Sequence, residues 1–303
     1  MAVAFKANSG VIDHKAEVTP LTVRRHTPTY MRERGGASLD LLGKHVAILG
    51  CGAVGSVVAD VLAAAGVGRL TLVDHDDYSE DNIFRHVLEP LWIDAHKVYG
   101  LQSQFERRYP GIQVEAIATI GQVWLKTADL TIFDGIVLAL GMPTLERWFS
   151  RALRRTKRPL PVVFTWLEAL DLGGHSVLTW SDNEGCLDCL YRDDEGQAVL
   201  HPRTSFLEPD QQVSRNLTGC TSVFVPFGAL QSQRTALMAV EHLLTALGGS
   251  TNPSYRYWVG EGTAAAKQGL GTTAWWKAAH ATPYSEATLR VFGRPCRYCR
   301  GAS

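Results

Sequence analysis

A glycine-rich turn between a buried strand and a helix is the feature that most constrains the fold of this chain. The stretch HVAILGCGAVGSVVADVLAAAGVGRLTLVDHDD, residues 45–77, predicts a strand, a turn, a helix that ends at Gly66 and a second strand that ends in acids. Gly50, Gly52 and Gly55 have the G-x-G-x-x-G spacing, which permits the turn, the approach of backbone amides to phosphate and close packing of helix on strand. The pattern predicts a Rossmann-type nucleotide-binding unit.

The loop alone does not identify the nucleotide. Asp74 closes the second strand 19 residues after Gly55, where a carboxylate receives ribose hydroxyls in such units. The same residues are expected at these positions in an NAD-dependent dehydrogenase and in an ATP-using enzyme.

Composition and charge exclude several classes of protein. The chain has 303 residues and is 46% apolar, which is enough to bury a large core. Its 30 basic residues balance its 30 acidic residues, so no overall charge attracts it to nucleic acid or to an anionic membrane. Because no segment has the length of a membrane span and the N-terminus lacks the apolar core of a signal peptide, we expect a cytoplasmic protein that binds neither nucleic acid nor membrane.

Strand and helix patterns alternate over most of the chain. Residues 1–37 carry polar and basic clusters without a period, so we predict an N-terminal arm there and one α/β domain over 38–303. This alternation of strands and helices predicts a doubly wound, mostly parallel Rossmann-like sheet with an antiparallel C-terminal extension. A polar stretch at about 191–219 is too long for an ordinary connection and is predicted to be a functional crossover loop. The tail contains two short strand candidates, YRYWVG and TLRVFG.

The segment after the second strand favours ATP. It places Asp74, Asp76, Asn82 and Arg85 close together in the chain, and Lys97 follows in the next predicted helix. Hydride transfer needs little positive charge over the phosphates, whereas cleavage of an α,β-phosphoanhydride needs cations and donors there. A solvated acidic turn with a surface arginine and lysine is the alternative interpretation of this segment.

These motifs together resemble a known family. D-x-D, N-x-x-R and a downstream lysine behind G-x-G-x-x-G are similar to the ThiF/MoeB/ubiquitin-activating superfamily, over about residues 41–299. The resemblance implies ATP and Mg²⁺ as cofactors and two catalytic cations at the phosphates, Arg85 and Lys97. The implied cofactor-binding residues are Gly50, Gly52, Gly55, Asp74, Asp76 and Asn82, and His86 is a further candidate beside them.

Two positions depart from the family pattern. His86 stands where sulfur-carrier activators often have glutamine, and it either contacts phosphate or packs beside Arg85. Met142 stands where the family usually has an aspartate that helps to hold Mg²⁺. Either another carboxylate, such as that of Asp76, serves the metal, or adenylation is weakened.

Two CxxC pairs predict a structural zinc site. Two thiolates separated by two residues can share one metal, and two such pairs complete a tetrahedral site with no open position. Four of the six cysteines of the chain have this arrangement, which fits a reducing compartment better than a disulfide framework. The predicted Zn²⁺ ligands are Cys186, Cys189, Cys296 and Cys299.

Cys220 is a candidate acyl acceptor. In superfamily members that form a thioester with a ubiquitin-like protein, the acceptor cysteine lies between the first CxxC and the long helix that follows, and Cys220 matches that order. An exposed thiol can ionise enough near neutral pH to attack an acyl-adenylate. A buried cysteine at the start of a helix is the alternative. Cys51, inside the glycine loop, is interpreted as a small packed residue.

The resemblance implies adenylation of a ubiquitin-like (β-grasp) carrier protein, thioester formation and transfer to a conjugating enzyme, in a bacterial conjugation or antiphage pathway. It also implies a homodimer. Arg32 or Arg34 of the arm would reach the partner's ATP site in such a dimer, or the two belong to a solvated basic patch. Three rivals stay open: a sulfur-carrier activator, a non-catalytic scaffold, for which Met142 is the best evidence, and an NAD enzyme. Trp275 and Trp276 either pack against the sheet or form a partner-binding patch.

Overall fold

The structure is a computed structural model that describes residues 2–4, 7–8, 11–12, 19–156, 158–213, 215–216, 223–224, 226–294 and 296–300. Its centre is one seven-stranded sheet. The strands are β1 (His45–Leu49), β2 (Arg69–Val73), β3 (Gln113–Ile117), β4 (Gly135–Leu138), β5 (Pro161–Glu168), β6 (Gly173–Trp180) and β7 (Ser254–Val259).

The strand order defines a doubly wound sheet. The order is β7-β6-β5-β4-β1-β2-β3, in which the five strands β1 to β5 are parallel, and β6 pairs antiparallel with both β5 and β7. From β1 the chain continues to β2 and β3 on one side and later returns to β4 and β5 on the other. The order therefore reverses between β1 and β4, and ligands of such sheets bind outside the carboxyl ends of the strands at this point.

Helices cover both faces of the sheet. They are α1 (Pro28–Gly35), α2 (Gly55–Ala65), α3 (Lys97–Arg108), α4 (Gly121–Thr127), α5 (Pro143–Leu153), α6 (Ala229–Leu247), α7 (Thr263–Lys267), α8 (Ala274–Ala279) and α9 (Tyr284–Phe292). Short 3₁₀ turns lie at Leu39–Leu41, Glu80–Asn82, Pro90–Trp92, Leu130–Ile132 and Leu187–Tyr191. Short paired strands lie at Ala2–Ala4 with Thr19–Leu21, Ala7–Asn8 with Val11–Ile12, and Arg215–Asn216 with Val223–Phe224.

Strand β1 shows why the sheet needs two covering layers. All five of its residues are buried, as expected for a central parallel strand. Successive side chains point to opposite faces, so Val46 and Ile48 pack with α2, α3 and α6, while Ala47 and Leu49 pack with α4 and α5. The predicted α/β class, the mostly parallel sheet and the antiparallel extension are confirmed.

One predicted strand in the tail is wrong. YRYWVG forms β7 as predicted, but TLRVFG lies in and just after helix α9. Ala287 and Val291, four residues apart, are buried, while Leu289 is 71% exposed. This is the spacing of a helical face, and a short apolar run cannot be assigned by periodicity alone. Trp275 is buried, and Trp276 donates from its indole N–H to the Leu172 carbonyl at 3.1 Å, so both tryptophans pack on the domain.

Helix α1 lies within the residues predicted as an arm, yet it contacts the domain. The buried Arg32 donates from Nη1 to the carbonyl of Gly66, at the C-terminus of α2, at 2.8 Å. A cation near the exposed carbonyls of a helix end is favourable. No helix among the described residues has both the length and the apolar character needed to cross a membrane.

Candidate nucleotide-binding site

The glycine loop connects β1 to α2 at the point where the strand order reverses. Gly50 has φ +86°, and a Cβ there would lie 2.6 Å from the carbonyl oxygen of Ala139, after β4. A Cβ on Gly55 would lie only 1.7 Å from the Gly50 carbonyl oxygen. A Cβ on Gly52 would meet no protein atom within 4 Å. Packing of the protein therefore requires the first and third glycines but not the second.

These contacts predict opposite effects of two alanine substitutions. Gly55→Ala forces the turn apart, and we expect it to lower the free energy of unfolding by about 3 kcal/mol or more. Gly52→Ala should leave stability within about 0.5 kcal/mol of the wild type, because the added methyl group meets no protein atom. If Gly52 faces phosphate, the same variant binds nucleotide at least about tenfold more weakly. Urea unfolding and nucleotide titration of both variants check this, and normal binding by Gly52→Ala would remove that glycine from the site.

Asp74 holds the loop to the end of β2. Its carboxylate accepts hydrogen bonds from the backbone N–H of Cys51 at 2.6 Å and of Asp76 at 2.9 Å. The residue is 9% exposed and lines the cleft described below. The structure thus gives Asp74 a part in shaping the loop, and its contact with ribose stays a prediction.

Lys97 and Asp76 form an ion pair at the edge of the site. Lys97 is the first residue of α3 and is 6% exposed, and its Nζ lies 2.8 Å from Oδ2 of Asp76. Partial burial would raise the pKa of Asp76, but the hydrogen bond and charge of Lys97 outweigh it and hold that pKa below its usual value. The Asp76 carboxylate is half exposed, so one of its faces is accessible from solvent.

Asn82 and Arg85 lie on the segment between Asp76 and Lys97. The side-chain oxygen of Asn82 accepts from the Ser79 backbone N–H at 3.2 Å and shapes the 3₁₀ turn there. The guanidinium carbon of Arg85 lies 4.9 Å from the ring centroid of Phe227, just before α6. Both residues are half-buried at this edge, and their contacts with phosphate stay predictions.

His86 has both ring nitrogens bonded to the protein backbone. Its Nε2 lies 2.7 Å from the carbonyl oxygen of Cys51, in the glycine loop, and its Nδ1 accepts from the Leu88 N–H at 3.1 Å. These partners assign the proton of the neutral ring to Nε2, which donates to Cys51. Burial lowers the pKa of His86 to about 4, against the opposing effect of the Cys51 carbonyl. The structure therefore gives His86 a positioning role for the loop, and its direct contact with a nucleotide stays a prediction.

The low pKa of His86 makes stability depend on pH. The unfolded histidine takes up a proton near pH 6.5 and the folded one only near pH 4, so this contribution to the free energy of unfolding is lost as the pH falls between these values. The free energy of unfolding decreases as the pH is lowered from about 7.5 to about 4.5. We expect this decrease to be smaller in His86→Asn than in the wild type by on the order of 2 kcal/mol. Urea titrations across that range check this, and an unchanged pH dependence would contradict the assignment.

A cleft of about 390 Å³ lies over the carboxyl ends of β1, β2, β3 and β4. Its lining combines the acidic residues that follow β2 with side chains, several of them apolar, from the segments that follow β3 and β4. It is lined by Leu49, Gly50, Gly52, Val73, Asp74, His75, Asp76, Thr119, Ile120, Gly121, Gln122, Ala139, Leu140, Met142 and Leu145. The wall at 119–122 was not predicted from the sequence. Only its position directly after a strand of the parallel sheet could have indicated it.

The cleft contains one group of side chains that can hold a cation. Ligand atoms of Asp74, His75 and Asp76 lie within 4.8 Å of one another. Carboxylate oxygens are ligands that Mg²⁺ prefers. Met142 lines the same cleft, is 58% exposed and offers no carboxylate. The donor set thus fits the prediction that Asp76, rather than position 142, serves the metal.

The four CxxC cysteines converge as predicted. The sulfur atoms of Cys186 and Cys296 are 3.8 Å apart, those of Cys189 and Cys299 are 3.6 Å apart, and all four lie within 4.8 Å of one another. A tetrahedral zinc with bonds of about 2.3 Å requires neighbouring sulfurs about 3.8 Å apart. We call these four residues the cysteine cluster. Its geometry can hold a metal ion and connects the tail to the middle of the chain.

The other two cysteines differ in position. Cys51 is fully buried in the glycine loop, where burial and the charge of Asp74 raise the pKa of its thiol well above the usual value. A thiol with a raised pKa is a poor nucleophile, which agrees with the interpretation of Cys51 as a packed residue. Cys220 lies outside the described residues, and its role stays a prediction.

Comparison with known proteins identifies the family. The ThiF family model matches residues 27–263, more than half of the chain. The chain belongs to the ThiF family. The match begins at residue 27, just before helix α1, so it includes the end of the predicted arm.

Individual relatives differ in how much of the chain they match. The ATP-dependent ubiquitin transferase-like protein Cap2 of Pseudomonas aeruginosa (strain BWHPSA011 / Pa011) is 28% identical over 248 residues, which are 79% of this chain and 43% of Cap2. The adenylyltransferase and sulfurtransferase MOCS3 of Mus musculus is 52% identical over 50 residues, which are 16% of this chain and 11% of MOCS3. The crystal structure of E. coli MccB with ATP has a TM-score of 0.52 at 17% identity, over 73% of this chain and 62% of that one. The chain therefore spans less than half the length of the curated relatives it matches, and the likeness to MccB concerns the fold.

Proposed function

We propose that this chain binds MgATP in the cleft and adenylates the C-terminal carboxylate of a ubiquitin-like protein. The observation that carries the proposal is the buried Lys97, paired with Asp76, which is half exposed and lines the cleft. A buried cation at this place suits negative charge that develops on phosphate. A dehydrogenase has no comparable need for it.

In this reaction a carboxylate oxygen attacks the α-phosphorus, the bond from that phosphorus to the bridging oxygen breaks, and pyrophosphate leaves. Backbone amides of the glycine loop bind the phosphates, and Arg85 and Lys97 stabilise the charge of the transition state. Asp74 shapes the loop and receives the ribose, while Asn82 contacts the leaving pyrophosphate. Magnesium, held by Asp76, would supply further charge neutralisation.

The choice of a ubiquitin-like carrier rests on the named relatives. Cap2 is described as an ATP-dependent ubiquitin transferase-like protein, and it matches 79% of this chain. We propose that Cys220 then takes the acyl group: its thiolate sulfur attacks the carbonyl carbon of the adenylate, AMP leaves and a thioester forms. A conjugating enzyme would receive that acyl group, in a bacterial ubiquitin-like conjugation or antiphage pathway, and the chain would act as a homodimer.

Sulfur-carrier activation is the second candidate function. The 50-residue match to the sulfurtransferase MOCS3 favours it, although that match covers only 16% of this chain. In this alternative the terminal sulfur of a persulfide donor attacks the carbonyl carbon of the adenylate and AMP leaves. A second thiol then cleaves the S–S bond of the acyl disulfide to release the thiocarboxylate, and no stable thioester forms on Cys220.

Structural zinc in the cysteine cluster completes the proposal. Four cysteine sulfurs leave no open position for a substrate, so a metal there stabilises the fold and takes no part in the chemistry.

A thioester assay separates the two candidate functions. The chain is mixed with MgATP and a ubiquitin-like protein, and the products are separated by electrophoresis with and without reducing agent. The proposal predicts a reducible adduct that Cys220→Ala abolishes and Cys51→Ala retains. A carrier adenylate without any reducible adduct would favour the sulfur-carrier alternative, and an adduct that survives Cys220→Ala would remove Cys220 from the mechanism.

A further inference from the structure

Helix α5 connects the nucleotide cleft to the cysteine cluster. The helix begins directly after Met142, which lines the cleft. Its second half faces the cluster: the Ser150 hydroxyl accepts from the Leu187 N–H at 3.2 Å, and Arg154, directly after the helix, donates from Nη2 to the Cys299 carbonyl at 3.4 Å. One rigid element of 11 residues thus contacts both places.

Asp188 is the main contact at the cluster end. It lies between Cys186 and Cys189 and is fully buried. Arg147 of α5 donates from Nε to Oδ1 at 3.0 Å, and Arg151 donates from Nε to Oδ2 at 2.8 Å and from Nη2 to Oδ1 at 2.6 Å. The guanidinium group of Arg151 thereby binds both carboxylate oxygens of Asp188. Such a bidentate contact fixes the relative orientation of the two side chains better than a single hydrogen bond does.

The same two arginines also lie over tyrosine rings in the two segments that carry the CxxC pairs. The guanidinium carbon of Arg147 lies 4.1 Å from the ring centroid of Tyr191, and that of Arg151 lies 4.0 Å from the ring centroid of Tyr298. Tyr298 stands within the second CxxC pair, so α5 contacts the segments of both pairs. These segments are more than a hundred residues apart in the chain, and the four cysteines meet where they come together beside α5.

Glu146 is the contact at the cleft end. It is 3% exposed, and its Oε1 accepts from the backbone N–H of Leu140 at 3.2 Å and of Gly141 at 3.1 Å. Leu140 and Met142 form part of the cleft wall. Glu146 and Arg147 are neighbours in sequence, so one turn of α5 holds the wall on one side and Asp188 on the other.

We propose that Asp188 and Glu146 are positioning residues for the nucleotide cleft, one fixing α5 to the cysteine cluster and the other fixing the wall at 140–142 to α5. The inference rests on the proposed function for its effect on ATP. Its structural part, that loss of either contact loosens the wall, is independent of what the cleft binds.

Two pairs of variants test the proposal. Glu146→Gln keeps a side-chain oxygen that accepts the two N–H groups, whereas Glu146→Leu removes it. Asp188→Asn removes the charge that both arginines bind, and Arg147→Gln breaks only the contact nearer the cleft and leaves Arg151 on Asp188. Glu184→Gln is the matched control, because the exposed Glu184 pairs with Arg300 at 3.0 Å near the cluster, and its side chain has no hydrogen bond or ion pair to α5 among the described residues.

The readouts are metal content, amide hydrogen exchange over residues 139–146 in the metal-loaded protein, and the Kd for ATP. We expect Glu146→Leu, Asp188→Asn and Arg147→Gln to accelerate exchange in this segment and to weaken ATP binding about tenfold with the metal retained, while Glu146→Gln and Glu184→Gln stay at wild-type values. Unchanged exchange in Glu146→Leu and Arg147→Gln would overturn the proposal. Should wild-type protein bind no ATP, the proposed function fails, yet the exchange measurement still decides the positioning role. If Asp188→Asn does not fold, Arg147→Gln tests the contact between α5 and Asp188 in its place.

Discussion

Replacement of Lys97 by methionine is expected to slow adenylate formation by about 10²- to 10³-fold, the usual effect of removing one group that stabilises transition-state charge. Methionine keeps much of the buried apolar stem but removes the ammonium group. Asp76, the partner that loses its cation, is half exposed and can be solvated, so the fold should survive. The rate of AMP formation in the presence of a carrier protein measures the effect.

Lys44→Met provides the matched control. Lys44 also pairs with an aspartate, Asp134, at 3.2 Å, but this pair precedes β1 and β4 and so lies at the amino edge of the same sheet. The control should form AMP at the wild-type rate within about twofold, since partly exposed ion pairs contribute little. Equal activity of the two variants would contradict the assignment of Lys97 to the phosphates.

Loss of the cysteine cluster should have the largest effect on stability. Cys296→Ser replaces one of the four converging sulfurs, and we expect loss of the bound metal and a decrease in the free energy of unfolding of more than about 4 kcal/mol. Three ligands that remain cannot close the tetrahedron, and the contacts of α5 with both CxxC segments depend on it. Metal content by mass spectrometry and urea unfolding measure the two effects.

Cys51→Ala is the control for this experiment. Cys51 is as buried as Cys296 but lies in the glycine loop. The variant should keep its metal and lose only about 1 kcal/mol, the usual cost of a small cavity. Full metal content in Cys296→Ser would show that the four cysteines do not act together.

Features with a local cause were predictable from the sequence. The glycine loop, β1, α2 and β2 follow from a continuous pattern, because the turn, the helix and the strands are each specified by neighbouring residues. The cysteine cluster was predictable because two CxxC pairs in one chain are typical of four ligands that share a metal ion. Helix α9 was missed because a short apolar run carries too little periodicity to separate helix from strand.

Contacts between distant segments were not predictable in this way. The sequence predicts that His86 either contacts phosphate or packs beside Arg85, and nothing in it indicates the hydrogen bond to Cys51, 35 residues away, or the use of both ring nitrogens by the backbone. Asp188 and Glu146 gave no sequence signal at all, since a buried carboxylate is recognised only when its donors are known. The sequence thus specifies which groups are present, and the sheet order decides which of them meet.

The most direct test of the central claim is exchange of labelled pyrophosphate into ATP. The chain is incubated with MgATP, labelled pyrophosphate and a ubiquitin-like protein, with Lys97→Met and Lys44→Met in parallel. If the cleft reversibly forms an acyl-adenylate, label enters ATP only when the carrier is present, Lys44→Met behaves as wild type and Lys97→Met loses the exchange. Exchange at the wild-type rate in Lys97→Met, or failure of every ubiquitin-like protein to support exchange while the chain still binds ATP, would contradict it.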